Sequence, residues 1–465
     1  MKKSSLRFCL LVFLTLVVTA CTPGIEKPAT STSKTPNPTK KTATPTITPT
    51  LAPIQIKPED LKGIHLQVSY AYSGLFEAQF SDQLAEFNTV NPWGIVVYTQ
   101  ASDSYNSLYE MVSTSIGGKD QPDLVITLPE QIWDWDGKSA IIDLAPYLED
   151  AQYGLSATEK ADFDPIFWAQ TWHGHEQLGL PATISSQFLY YNKTWAGELG
   201  FSRPPLTSAE FREQACAANQ SFRKDTDLQN DGYGGWIVDT NPQAVLAWMQ
   251  AFGGEVVRDG KYTFATKDNQ TALEFLKKLY DDNCAFISNE PTQYDAFAKR
   301  SALFITADLA EIPYQNLAFE QAKNNDQWTL IPFPGQKSQL IAEGPYYSIL
   351  KSTPEKQLSA WLFVRWLLST ENQVNWVKAT GMFPLRISSY GGLISFGSNH
   401  KQWQVGTGYI NDLDLQPQLA SWRKARLVLG DATESIFRSN LKLYQIPALL
   451  TQMDSTMQEL IGTRP

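Results

Sequence analysis

Ile64-His65-Leu66-Gln67-Val68-Ser69-Tyr70 alternates apolar and polar residues with the period of a β-strand. A loop containing Gly74 follows, and then Phe76, Phe80, Leu84 and Phe87 recur at the spacing of one helical face. Ile95-Val96-Val97-Tyr98 is a second strand, residues 105–116 read as a helix, and Asp123-Leu124-Val125-Ile126-Thr127 is a third strand. Strand, helix, strand, helix, strand at these spacings gives βαβ units, and therefore an α/β fold with a parallel sheet covered by helices on both faces.

Further along the chain the same grammar continues. Leu178-Gly179-Leu180-Pro181 ends a short extended segment, and Phe188-Leu189-Tyr190-Tyr191 is a strand closed by Asn192-Lys193. A capping Thr207 opens a helix over 207–218, Ala272-Leu273-Glu274-Phe275-Leu276 lies in another, and Ala302-Leu303-Phe304-Ile305 is a buried strand. Residues 358–368 form a strongly apolar helix carrying Trp361 and Trp366, and no repeat of solenoid period is visible.

Toward the N-terminus the composition changes. Lys2, Lys3 and Arg7 precede an apolar run over 8–18, too short for a membrane span, and the small residues Thr19 and Ala20 stand before Cys21. This resembles the bacterial lipobox, which implies a signal peptide over 1–20 and a Cys21 acylated as the mature N-terminus, anchoring the protein to the cell membrane on its extracytoplasmic side. Residues 21–58 are rich in Thr, Pro, Ser and Lys and read as a disordered stalk, because such a segment buries too little apolar surface to offset its ordering entropy.

What remains, from Leu61 onward, is about four hundred residues, more than one core usually serves, so two lobes are expected. The net charge of −10 argues against nucleic acid as a partner. With 14 Trp, 19 Tyr and 23 Phe, most aromatics must be core, yet the surplus favours a site that stacks on flat ligand faces. Cys216 and Cys284 are an even pair left in an oxidising compartment, where they can bridge.

Several segments, in order, resemble the extracellular solute-binding proteins of ATP-driven importers, in the branch that includes maltodextrin- and other sugar-binding proteins. They are Leu178-Gly179-Leu180-Pro181 through Asn192-Lys193; Pro204-Pro205-Leu206-Thr207; Phe297-Ala298-Lys299-Arg300-Ser301-Ala302-Leu303; Trp328-Thr329-Leu330-Ile331-Pro332-Phe333-Pro334-Gly335; and the block from Ala360-Trp361 through Glu371-Asn372-Gln373 to Thr380-Gly381-Met382-Phe383-Pro384. Ser208 stands where the family often has Trp, and residues 388–400 have no clear counterpart.

The resemblance implies a two-lobe periplasmic-binding-protein-like fold, a hinge of crossing strands and a ligand cleft between the lobes. Lobe 1 would comprise 61–183 and 340–400, and lobe 2 would comprise 184–339 and 401–465. It further implies a monomeric, membrane-anchored receptor that captures a carbohydrate reversibly and delivers it to a permease, with no cofactor, metal or catalytic residue.

Open α/β sheets bind ligands beyond the carboxyl ends of their strands, which directs attention to the loops that follow them. Tyr72 and Ser73 follow the first strand. Glu130 and Gln131 follow the third, where the family often places a polar pair. Ser185 and Gln187 lie where the chain crosses between lobes. By resemblance, Asp239, Asn241 and Gln243 carry contacts in the second lobe, as does Asp308 after its strand. Tyr346 sits where the chain returns to the first lobe, and Trp403 is a stacking candidate from the divergent tail.

Three further patterns read as ordinary structure. His173-Gly174-His175-Glu176 is a surface hairpin rather than a metal site, with 4 histidines in the chain and no further ligand indicated. The loop from Asp225 to Gly232 resembles a calcium loop, but Gln229 takes a ligand position and Val238 stands where a bidentate Glu is required, so a polar loop is expected. No Glu/Asp pair sits in a recognisable glycosidase motif. The rival readings are a receptor for another solute, such as a polyamine, a secreted carbohydrate-active enzyme, or a receptor feeding a sensor. An anionic ligand would call for Arg or Lys in the cleft, and the loops named above contain none.

Overall fold

A computed structural model describes residues 54–462. The expected signal peptide, Cys21 and nearly all of the stalk lie outside the described residues.

Ten strands build two five-stranded sheets: β1 (His65–Tyr70), β2 (Val96–Ala101), β3 (Leu124–Thr127), β4 (Leu180–Pro181), β5 (Gln187–Asn192), β6 (Gly234–Ile237), β7 (Ala285–Phe286), β8 (Ala302–Asp308), β9 (Trp328–Ile331) and β10 (Tyr346–Ile349). The first sheet has the order β2-β1-β3-β10-β4, with β1 parallel to both neighbours and β10 antiparallel to β3 and β4. The second has the order β7-β6-β8-β5-β9, with β6 parallel to β7 and β8, and β5 antiparallel to β8 and β9. Both sheets are therefore mixed, parallel in the βαβ part that the periodicity revealed and antiparallel where the chain crosses from one sheet to the other.

Burial follows the pattern that made the elements legible. Every residue of β3 is buried, as for a strand covered on both faces. The helix Gly74–Val90 turns Phe80, Gln83 and Phe87 inward at helical spacing. The helix Pro354–Leu367 is buried without a break from Leu358 to Val364, and the Trp361 indole donates to the Tyr153 carbonyl at 2.9 Å. In the second lobe Trp236, Trp248, Phe211 and Phe304 interlock at ring-centroid separations of 4.5–6.4 Å. A disulfide joins Cys216, on the helix Ser208–Phe222, to Cys284, beside β7.

Two chain segments cross between the sheets side by side. Ser185 and Glu343 form an antiparallel bridge, each donating its amide to the other's carbonyl at 2.8 and 3.0 Å. Gly344 packs so tightly that a Cβ there would stand 2.0 Å from the Thr183 carbonyl oxygen, so only glycine fits. A third segment runs alongside, with the Phe383 amide donating to the Ile184 carbonyl at 3.0 Å. The chain then returns to the second sheet, where the helix Trp422–Ile436 packs on Pro242–Ala251.

The hairpin expected at His173–Glu176 forms: Trp172–His173 pairs with Glu176–Gln177 around Gly174. In the loop starting at Asp225, the Asp225 and Asp227 carboxylates accept from the amides of Asp227 and Gln229 at 2.8 and 3.0 Å, closing successive turns. No helix among the described residues is long and apolar enough to cross a membrane.

Candidate functional site

The ends of β1, β3 and β8 and the crossing segments converge on one cavity of about 470 Å³, a size suited to a small organic ligand. Its first-lobe wall is Ser73, Phe76, Tyr105 and Leu128. The hinge supplies Ser185, Glu343, Gly344 and Pro345, and the second lobe supplies Gln243, Asp308, Glu311 and Tyr314. Met382, Gln416 and Arg426 complete it. The Tyr314 hydroxyl reaches across the gap, 3.8 Å from where a side chain at Gly74 would begin.

Local chemistry fixes these groups. Asp308 ends β8 and caps the next turn: its Oδ1 accepts from the Ala310 amide at 2.8 Å, while its own amide donates to Glu311 Oε2 at 2.7 Å. The same Oδ1 accepts from the Ser185 hydroxyl at 2.5 Å, so the second lobe's strand end is tied to the hinge. Gln187 Nε2 donates to Glu343 Oε1 at 3.0 Å. Asn241 caps the helix Pro242–Ala251 by accepting from the Gln243 amide at 2.9 Å, and Asp239 accepts from the Asn241 amide at 2.8 Å.

The electrostatics are unusual for so many carboxyls. Burial, followed by repulsion from Glu343 and Glu311, holds the Asp308 carboxyl well above the usual carboxylate range. Burial also raises Glu343, partly offset by the amide of Gln187 and the positive charge of Arg426. Asp239 is pushed up to about 6, by burial first and then by Glu311 and Glu343, against the opposing hydrogen bond from Asn241. Arg426 forms a close ion pair with the buried Glu130 across the lobes.

Of the residues singled out from the sequence, Ser73, Ser185, Gln243 and Asp308 line this cavity. Gln187 and Glu130 stand behind it, holding Glu343 and Arg426. Asn241 caps its helix and Asp239 belongs to the same carboxyl group by its coupling to Glu311 and Glu343. Four others turn elsewhere. Gln131 is engaged inside the first lobe by Thr127 and the Tyr105 carbonyl. Tyr72 is buried among Phe76, Phe80 and Trp376. Tyr346 donates to the Phe167 carbonyl at 3.2 Å within the first lobe. Trp403 is core, its ring against Phe396 and its indole donating to the Met382 carbonyl at 3.3 Å.

The strand-end search missed Glu311, Glu343, Tyr314 and Arg426. Glu311 was within reach, since Asp308 and Glu311 have the spacing of a reciprocal helix cap. Arg426 supplies the cation that the strand-end loops lack, and it does so from a helix 296 residues away from its partner. A wider depression of about 880 Å³, lined by Lys193, Glu320, Asp326 and His400, holds none of the strand-end residues.

Several known proteins share this architecture. The sugar-binding protein MalE from Xanthomonas citri superposes with a TM-score of 0.72 at 18% identity, covering 86% of this chain and 100% of that one. A cyclic alpha-maltosyl-1,6-maltose binding protein from Arthrobacter globiformis gives 0.71 at 14%, covering 85% and 99%. UgpB from Mycobacterium tuberculosis, solved with glycerophosphocholine, gives 0.70 at 15%, covering 85% and 98%. A Brucella abortus relative named as a binding protein is 20% identical over 378 residues, 79% of this chain and 86% of its own length. Residues 82–395 match the family described as bacterial extracellular solute-binding protein, well over half of the chain. The protein is a two-lobe member of the bacterial extracellular solute-binding protein family, built to work outside the cytoplasm.

Proposed function

We propose that this protein is the receptor of an ATP-driven importer, tethered through Cys21 and the 21–58 stalk, and that it captures a carbohydrate and hands it to a membrane permease. The observation that carries this reading is the position of the cavity. It lies at the hinge, walled by strand ends of both sheets, where closure of one lobe on the other would enclose a ligand. Lobes of 61–183 with 340–400, and of 184–339 with 401–465, would rock as a monomer about the three crossing segments. The polar atoms of Ser73, Ser185, Gln243 and Asp308 suit sugar hydroxyls, and the rings of Phe76, Tyr105 and Tyr314 suit sugar C–H faces.

Capture without turnover fits the same residues. Asp308 and Glu343 are engaged at the hinge by Ser185 and Gln187, whereas glycoside hydrolysis works with a carboxyl pair held across the bond to be broken.

Thermal unfolding of the purified protein across mono- and oligosaccharides tests the reading. A saccharide at a hundred times its Kd should stabilise the fold by about 2.7 kcal/mol and be recovered chemically unchanged. No response to any saccharide would remove the carbohydrate assignment, and recovery of cleaved sugar would turn the receptor into an enzyme.

A further inference from the structure

The charge around the cavity is one-sided. Asp308 and Glu311 face it from the end of β8 and Glu343 from the hinge; Asp239 acts on the same group from the end of β6. Arg426 is the one cation among the lining residues, and Glu130 already engages it. Gln243 adds an independent sign that the site awaits a ligand. The residue is 6% exposed and lines the cavity, and no hydrogen bond from another described residue engages its side-chain amide, whose polar atoms open onto the cavity. An amide held there by a buried residue, and used by no protein partner, is available to a polar group of a ligand.

We propose that the group completing this cleft is a protonated amine, and, resting on the carbohydrate reading above, that the ligand is an amino sugar or an amine-bearing oligosaccharide. An ammonium has three donors and no acceptor. Placed among Asp308, Glu311 and Glu343, it meets acceptors on several sides, and its charge favours the ionised forms of Asp308 and Glu343, which burial and mutual repulsion disfavour. The Gln243 carbonyl offers a further acceptor, while the amide nitrogen is left for a neighbouring sugar hydroxyl. A neutral sugar satisfies the hydrogen bonds but not the charge, and an anionic ligand adds to the repulsion.

The charge relief has a proton signature. The charged groups that face the bound amine are Asp308, Glu311 and Glu343 from the second lobe and hinge and Arg426, which Glu130 pairs from behind, while Asp239 acts on the carboxyls through its charge. Asp308 and Glu343, whose ionisation burial disfavours in the empty cleft, release protons when the ammonium arrives, so binding tightens as pH rises above the ordinary carboxylate range.

The test is titration calorimetry of the purified protein with glucosamine against glucose, β-1,4-linked diglucosamine against cellobiose, and putrescine as an amine without a sugar. The expected result is amino-sugar binding at least about tenfold tighter than the neutral counterpart. It should release protons, revealed by different heats in buffers of different ionisation enthalpy. Glu343→Gln keeps an oxygen to accept from Gln187 while losing the charge, and should cut the amine preference by about tenfold. Glu311→Gln, checked for folding by circular dichroism, should act the same way. Neutral sugars binding as tightly as their amino counterparts would overturn the inference and leave the carbohydrate receptor standing. Putrescine binding with no response to any sugar would uphold the amine site and remove the carbohydrate reading. A folded Glu343→Gln protein with an unchanged amine preference would overturn the inference, as would an absence of amine binding.

Discussion

Asp239 keeps its proton to about pH 6 because desolvation at the end of β6 disfavours its charge, with repulsion from Glu311 and Glu343 adding to it. In the unfolded chain the same carboxyl ionises near its ordinary value of 3.8. Between about pH 4 and 6 the folded protein therefore binds more protons than the unfolded one, and stability must fall as pH rises through that window. A shift of this size corresponds to up to about 3 kcal/mol. Asp239→Asn should flatten part of the decline, read from urea midpoints between pH 4 and 7; an unchanged slope would refute the assignment. The carboxylates held low by hydrogen bonds or ion pairs, such as Asp326 beside Arg300 and Asp162 beside Ser388 and Arg386, act in the opposite sense, losing their contribution below that window. At the hinge, Gly344→Ala drives a methyl against the Thr183 carbonyl. The crossing segments must part to admit it, costing about 1–3 kcal/mol and weakening ligand binding with it. A variant that melts and binds like the parent would show that the hinge yields more easily than its packing indicates.

Single elements show both how the fold is read from sequence and where that reading stops. Cys216 and Cys284 lie 68 residues apart, and their bridge pins the helix Ser208–Phe222 to the edge of the second sheet. Cys216→Ser with Cys284→Ser should lower stability by about 4 kcal/mol, the loop-closure value for this separation; a loss under about 1 kcal/mol would mean that the second lobe's core alone holds that edge. The βαβ run from β1 to β3 was legible because each element states its own period over a few residues. The same locality pointed to Ser73, Ser185, Gln243 and Asp308, which follow strands or cross the hinge. It failed for Arg426, which reaches the cavity from the helix Trp422–Ile436, and for Glu343, whose place depends on two crossing segments pairing at Ser185. It also misplaced the aromatics. Tyr72 follows β1, Tyr346 opens β10 and Trp403 sits in the divergent tail, but each is large enough to be drawn into core packing, and burial decides against the cleft.

Across the whole molecule the two lobes meet through a small set of directional contacts. The helix Trp422–Ile436 packs on the second lobe, yet it presents Arg426 to Glu130 and Arg423 to the face of Tyr109, with the guanidinium 4.2 Å from the ring centroid. Both partners belong to the first lobe. Such contacts favour the closed arrangement without the ligand, and they are weak enough for hinge motion to break. A cation–π contact of this kind contributes about 0.5–2 kcal/mol. Glu130 and Arg426 are a pair in which removing one member alone would leave a charge stranded. The triple variant Glu130→Gln, Arg426→Gln and Arg423→Ala removes both contacts and leaves neither charge behind. Without ligand it should show a larger radius of gyration in small-angle scattering, because the open population rises. With saturating ligand its scattering should converge on that of the parent, while its affinity is weaker by the cost of closing a cleft no longer held shut, about tenfold or more. Identical scattering of parent and variant in the absence of ligand would show that these contacts follow closure rather than cause it, and that the crossing segments at Ser185 and Glu343 set the resting angle by themselves.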